Sequence, residues 1–117
     1  MNHKRPVIAV VGPCAAGKTT LISGLKDHGF RARHVAQEHS YVPQMWELLV
    51  DPDYLIYLDV SFPVSRERTD SNWQEAIFNK QVARLGHARD HADLIINTDQ
   101  ESPEEVLTSV LEFLDRK

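Results

Sequence analysis

Short apolar runs alternate with amphipathic stretches along most of this chain. Val7-Ile8-Ala9-Val10-Val11 is continuously apolar and rich in β-branched residues, the pattern of a strand buried on both faces. A glycine-containing turn follows, and Thr19 to His28 reads as a helix with Leu21, Ile22 and Leu25 as its apolar stripe and Gly29 at its end. Arg33 to Ala36 is a weaker strand. Pro43 opens a helix carrying Met45, Trp46, Leu49 and Val50, and Asp51-Pro52-Asp53 stops it.

Tyr54-Leu55-Ile56-Tyr57-Leu58 is the second strongly apolar strand, closed by Asp59. Pro63 begins a short helix bearing Arg66 and Arg68, interrupted at Thr69-Asp70-Ser71-Asn72. From Trp73 to His91 the pattern predicts a longer helix with Phe78, Val82, Leu85 and Ala88 in one stripe. Asp93 to Asn97 is a last strand. Ser102-Pro103-Glu104-Glu105 then makes a capping box with proline at the first helical position, ahead of Val106, Leu107, Val110, Leu111 and Leu114.

Strands separated by helices imply an α/β fold, a three-layer sandwich around a short, mainly parallel sheet with right-handed crossovers. We count about four strands and expect the order 2-1-3-4, in a single domain spanning 1–117. The 42% apolar and 26% charged content is that of an ordinary globular chain. The formal net charge of −4 gives no nucleic-acid footprint, and the His3-Lys4-Arg5 cluster is too short to change that. Cys14 is the single cysteine, so no internal disulfide forms and a reducing compartment suits the chain. Neither a signal-like segment nor a membrane-length apolar run is present, and the expected location is cytoplasmic.

One segment carries specific chemistry. Gly12-Pro13-Cys14-Ala15-Ala16-Gly17-Lys18-Thr19 satisfies G-x-x-x-x-G-K-[ST] in full, between an apolar strand and an amphipathic helix. The glycines let the backbone curl so that its N–H groups face phosphate oxygens, and the helix adds its positive end. Lys18 would reach the β- and γ-phosphates, Thr19 would ligate magnesium, and Thr20 would touch the α-phosphate. ATP with Mg2+ is therefore the expected ligand. The absence of a guanine-reading N-K-x-D segment tilts the base towards adenine without fixing it. Cys14 occupies a variable loop position and reads as a small filler.

With that loop placed, the chain resembles the P-loop kinases of small molecules and nucleotides, which include nucleoside monophosphate, shikimate and gluconate kinases. Pro52 to Val60, leading through a proline helix to Arg66 and Arg68, is similar to the strand that precedes their arginine-bearing lid. Ala92 to Thr98 is similar to their last strand. The resemblance implies the P-loop NTPase fold and an ATP-dependent phosphotransferase, with a lid arginine, Arg66 or Arg68, on the transferring phosphoryl group.

The chain departs from that pattern in lacking one strand–helix unit and a full acceptor-binding insertion. It also lacks an unambiguous strand ending in a magnesium-directed carboxylate. Asp59 fits formally after Leu55-Ile56-Tyr57-Leu58, whereas the resemblance favours Glu38, which could also be a surface glutamate. The departures leave open a nucleotide-dependent switch or accessory ATPase without an acceptor, or a minimal domain completed by a homodimer or another chain.

His39, Ser40 and Tyr41 would lie at a strand's carboxyl end, where they could line an acceptor pocket with Trp46 behind them; for Trp46 itself, core packing is the plainer role. Arg84 and Arg89 follow on the next helix. His87 and His91 have a spacing that can hold a metal but show no third ligand. Trp73 reads as a packing anchor.

Overall fold

The computed structural model describes residues 6–69 and 74–117. Four strands form one sheet in the order β2-β1-β3-β4: β1 (Val7–Val11), β2 (Arg31–His34), β3 (Tyr54–Asp59) and β4 (Leu94–Asn97). All three pairings are parallel, with Val7 opposite Arg31, Ile8 opposite Tyr54 and Ile56 opposite Leu94. The expected strand order is the observed one.

Helices cover both faces because the two central strands are apolar on both sides. Ile8, Val10, Ile56 and Leu58 face one core, completed by α1 (Lys18–Asp27) and α6 (Pro103–Asp115). Ala9, Val11, Leu55 and Tyr57 face the other, completed by α2 (Met45–Val50) and α5 (Gly86–His91). Every one of these eight strand residues is 2% exposed or less, which a chain this small achieves only by placing both strands centrally. Two further helices, α3 (Phe62–Thr69) and α4 (Glu75–Arg84), lie between β3 and α5 in sequence.

The helix termini follow their residue chemistry. In α6 the Glu105 N–H donates to Ser102 Oγ at 3.1 Å and the Ser102 N–H donates to the Glu105 carboxylate at 2.9 Å. These bonds hold the Glu105 carboxyl below its ordinary pKa. At the end of α1 the Gly29 N–H bonds to Lys26 O at 2.9 Å and the Phe30 N–H to Leu25 O at 3.0 Å, the paired closure of a Schellman motif.

Three elements differ from the sequence reading. β2 runs from Arg31 to His34, earlier than the expected Arg33 to Ala36. As an edge strand it needs only Ala32 inward, while apolar Val35 is buried just beyond the strand and Ala36 starts a 3-10 turn (Gln37–His39). The long helix expected from Trp73 to His91 is divided at Leu85–Gly86 into α4 and α5, where glycine is a poor helix former and Leu85, fully buried, acts as the pivot. The expected stripe is also turned: Val82 is 37% exposed, and Gln81 is buried in its place. In α2, Trp46 is buried as expected but Leu49 is exposed. The His3-Lys4-Arg5 cluster, the break at Asp70-Ser71-Asn72 and Trp73 lie outside the described residues.

Candidate functional site

The loop 12–19 leaves the carboxyl end of β1 and enters α1, as its sequence context requires. Gly12 has no alternative at its position, since a Cβ there would lie 2.3 Å from the Leu58 carbonyl oxygen. Gly17 holds φ 98° as the residue capping α1, in the region that L side chains avoid. Ala15 adopts φ 66° without being glycine, a conformation that costs an L-residue on the order of 1–2 kcal/mol. Strain of this kind collects where surrounding bonds over-determine the backbone.

Those bonds are present. Among the described residues the buried polar side chains are Lys18, Gln37, Glu38, Ser65, Gln81 and Thr98, and all but Gln37 bond to the loop. Ser65 Oγ donates to Cys14 O at 2.8 Å. Gln81 receives the Cys14 N–H at 3.1 Å through Oε1, and its Nε2 donates to Cys14 Sγ at 3.2 Å. Thr98 Oγ1 lies 3.1 Å from the acceptor Ala16 O. Buried polar groups are costly unless bonded, so a core that directs nearly all of them at eight residues is built to hold the shape of that loop.

Lys18 is buried at the first turn of α1. Its ammonium donates to Gly12 O and to Glu38 Oε2, with Pro13 O at 3.5 Å. Glu38 sits in the 3-10 turn after β2, its side chain only 4% exposed. Its Oε1 is buried without a hydrogen-bond partner, and the His39 ring nitrogen lies 3.9 Å from Oε2. Glu38 is therefore buried, and the surface glutamate left open as its alternative in the sequence is not what the fold makes of it. Burial and, behind it, the Lys18 charge hold the nearby His34 imidazole below its ordinary pKa, against the pull of Glu38.

Thr19 and Thr20 are exposed in the first turn of α1. The Leu21 N–H to Gly17 O bond closes that turn, so the amides of Lys18, Thr19 and Thr20 precede the helical ladder at its positive end.

The other sequence candidates divide. Asp59 ends β3, receives the Val60 N–H at 3.0 Å and faces Arg89 at 3.7 Å, whereas Lys18 bonds to Glu38. Arg68 folds over the loop, donating to Ala15 O at 2.9 Å, to Thr98 Oγ1 at 3.1 Å and to Thr98 O. It borders a cavity of about 190 Å³ with Gly17, Thr20, Leu21, Thr98 and Val106. Arg66 is exposed on the same helix. Arg84 reaches the other side of the site, its guanidinium 3.3 Å from Glu38 O and 4.5 Å from the Tyr41 ring centre. Ser40, Tyr41, Pro43 and Arg84 border an open hollow of about 240 Å³.

Trp46 Nε1 donates to His87 Nδ1 at 3.1 Å, and His87 stacks on His91 at 4.2 Å. His91 Nδ1 lies 2.8 Å from His87 O, so both Nδ1 atoms are engaged where the pair packs against Trp46, and among the described residues no third His, Cys, Asp or Glu joins it. Ser65, Gln81 and Thr98 were missed in the sequence, because a polar residue in a helix stripe or after a strand carries no local sign that it braces a distant loop.

No protein-family model matches this chain, and no curated protein matches it in sequence. Among the described residues no helix is long and apolar enough to cross a membrane.

Proposed function

We propose that this chain binds Mg-ATP through loop 12–19 and transfers the γ-phosphoryl group to a small-molecule acceptor, within a P-loop NTPase fold. The observation that carries the reading is the loop itself. A complete G-x-x-x-x-G-K-[ST] segment joins a buried parallel strand to a helix, its lysine is turned inward, and it is braced from α3, α4 and the residue after β4.

The residues present suit the ligand. Loop amides and the start of α1 would hold the phosphates, and Lys18 would exchange Glu38 for phosphate oxygens of higher charge density. Thr19 is the hydroxyl at the magnesium position, and Glu38, with an unpartnered buried oxygen, is the better placed of the two carboxylate candidates. Asp59, occupied with Arg89, is the weaker one. When bound, the metal would neutralise charge on the triphosphate.

Arg68 supports a refinement of the lid reading. Its bonds to Ala15 and Thr98 and its place beside the 190 Å³ cavity suit the nucleoside end of the ligand. Arg84, against Glu38 and Tyr41, suits the phosphoryl-transfer end, beside the hollow bordered by Ser40 and Tyr41. Arg66 remains the exposed alternative on α3.

A second reading, a nucleotide-dependent switch or accessory ATPase, draws on the short connection between β2 and β3. It holds only the 3-10 turn and the six-residue α2 and builds no separate acceptor lobe. A homodimer or another chain could then complete the pocket.

Calorimetry with Mg-ATP and Mg-GTP tests the binding claim, and ADP release with and without a panel of small metabolites tests the reaction. The expected results are saturable Mg-ATP binding and turnover that requires an acceptor. Turnover unaffected by any acceptor would favour the switch or ATPase. Absence of nucleotide binding would overturn the proposal.

A further inference from the structure

Cys14, Glu38 and His39 come from two segments, the phosphate-type loop and the 3-10 turn beyond β2. One ligand atom from each, a thiol sulfur, a carboxylate oxygen and an imidazole nitrogen, all lie within 4.8 Å of one another. Soft sulfur, borderline nitrogen and hard oxygen together form a donor set for zinc-like ions, unlike the all-oxygen sets that suit magnesium or calcium. Zinc bonds of roughly 2.0–2.3 Å in a tetrahedron separate ligand atoms by roughly 3.3–3.8 Å, so a pair at the 4.8 Å limit would close by about 1–1.5 Å. The His39 side chain, 59% exposed, can supply that movement by rotation.

A second observation points the same way. Glu38 is almost wholly buried, yet its Oε1 has no hydrogen-bond partner. Such an oxygen is costly to leave unmade, and a cation would satisfy it. Two neighbours set the competition: the Lys18 ammonium already takes Glu38 Oε2, and the Gln81 amide donates to Cys14 Sγ. Both must yield or adjust as the metal enters.

We propose that Cys14, Glu38 and His39 form a three-residue site for a thiophilic divalent cation of the zinc class, with its fourth position open to solvent. Binding replaces the Cys14 S–H bond by a sulfur–metal bond and releases one proton to solvent, with no change of oxidation state. The site ties the loop to the 3-10 turn and draws Glu38 away from Lys18. It is defined by the apo chain and does not depend on the nucleotide reading; because it uses the Glu38 carboxylate that Mg-ATP would also engage, the two occupancies are alternatives.

Cobalt(II) titration of the reduced chain, without nucleotide, tests the assignment. Cys14 is the only cysteine, so a thiolate-to-cobalt charge-transfer band can arise from no other residue. The expected result is one cobalt per chain, with that band and the intense visible bands of a tetrahedral ion, both abolished by zinc. Cys14→Ser should lose the charge-transfer band. His39→Ala and Glu38→Gln should each weaken binding by about tenfold or more, as loss of a metal-supporting group does. His39 is exposed, so its variant reports binding without a folding defect. Should Cys14→Ser fold poorly, alkylation of Cys14 provides a second readout: zinc should slow it in the wild type and not in His39→Ala. Cobalt bound without a sulfur band, unchanged affinity in both the His39 and Glu38 variants, two chains per metal, or no binding at millimolar cobalt would each overturn the proposal.

Discussion

The ion pair of Lys18 with Glu38 makes a prediction in which the two partners are unequal. Their side chains are 8% and 4% exposed, so removing either one leaves a charge out of water. Breaking a buried pair in this way typically costs about 3–5 kcal/mol. Lys18→Met strands the Glu38 carboxylate, whose Oε1 already lacks a partner and whose Oε2 then has, among the described residues, only the His39 ring nitrogen within ion-pair distance, at 3.9 Å. Glu38→Gln leaves the ammonium with Gly12 O and Pro13 O as acceptors, and the new amide can still accept from it. We therefore expect Lys18→Met near the upper end of that range and Glu38→Gln nearer 2 kcal/mol, about the worth of one hydrogen bond to a charged group. The double variant should cost less than the sum, with a coupling of about 2 kcal/mol.

Urea unfolding of the four proteins at pH 7 measures all three quantities. Additivity within about 0.5 kcal/mol would refute the pairing, and a Glu38→Gln cost equal to or above that of Lys18→Met would refute the asymmetry. There is a practical consequence for testing the proposed nucleotide binding. A Lys18 variant that starts several kcal/mol less stable must be compared with its own apo form, because ligand stabilisation adds to that baseline.

Other expectations follow from single positions. Gly12→Ala forces a Cβ against the Leu58 carbonyl 2.3 Å away, and should cost about 1–3 kcal/mol by chemical denaturation, whereas Gly17→Ala, with open space around it, should cost only its backbone strain. Equal losses at both glycines would contradict the close β1–β3 approach. Tyr57, buried with its hydroxyl unpartnered, has its pKa pushed up to about 12 by burial and then by Asp59, against the pull of Arg89. The unfolded phenol ionises first, so stability should fall as the pH rises from about 10 to 12, by roughly 2–3 kcal/mol in total. Tyr57→Phe should be neutral or stabilising at pH 7 and should remove that alkaline decline; a loss above about 1 kcal/mol at pH 7 would mean the hydroxyl has a partner. Ser102→Ala removes the N-cap bond to Glu105 and should cost about 1 kcal/mol, read as a lower thermal midpoint, and an unchanged midpoint would show that the cap contributes nothing.

Much of this protein was legible from residue order alone. The two continuous apolar runs required central strands covered on both faces, and the alternation of strand and helix required a parallel sheet. The chemistry of Ser102-Pro103-Glu104-Glu105 and of Gly29 placed helix ends, because caps are local bonds between residues a few positions apart. The loop 12–19 was legible for the same reason, its glycines, lysine and threonine being a contiguous segment whose neighbours supply the strand and helix.

What the sequence left open depends on distance in space. Glu38 could not be told from a solvated glutamate until folding set its carboxylate against Lys18, 20 residues earlier. Gln81 took the inward place expected for Val82 because Cys14, 67 residues away, needed both a donor and an acceptor. Arg68 and Arg84, similar on paper, were sorted to opposite sides of the loop by Ala15 and Thr98 in one case and Glu38 and Tyr41 in the other. Periodicity records which residues avoid water. It does not record which buried polar groups find one another, since those bonds exist only once the chain has closed around them.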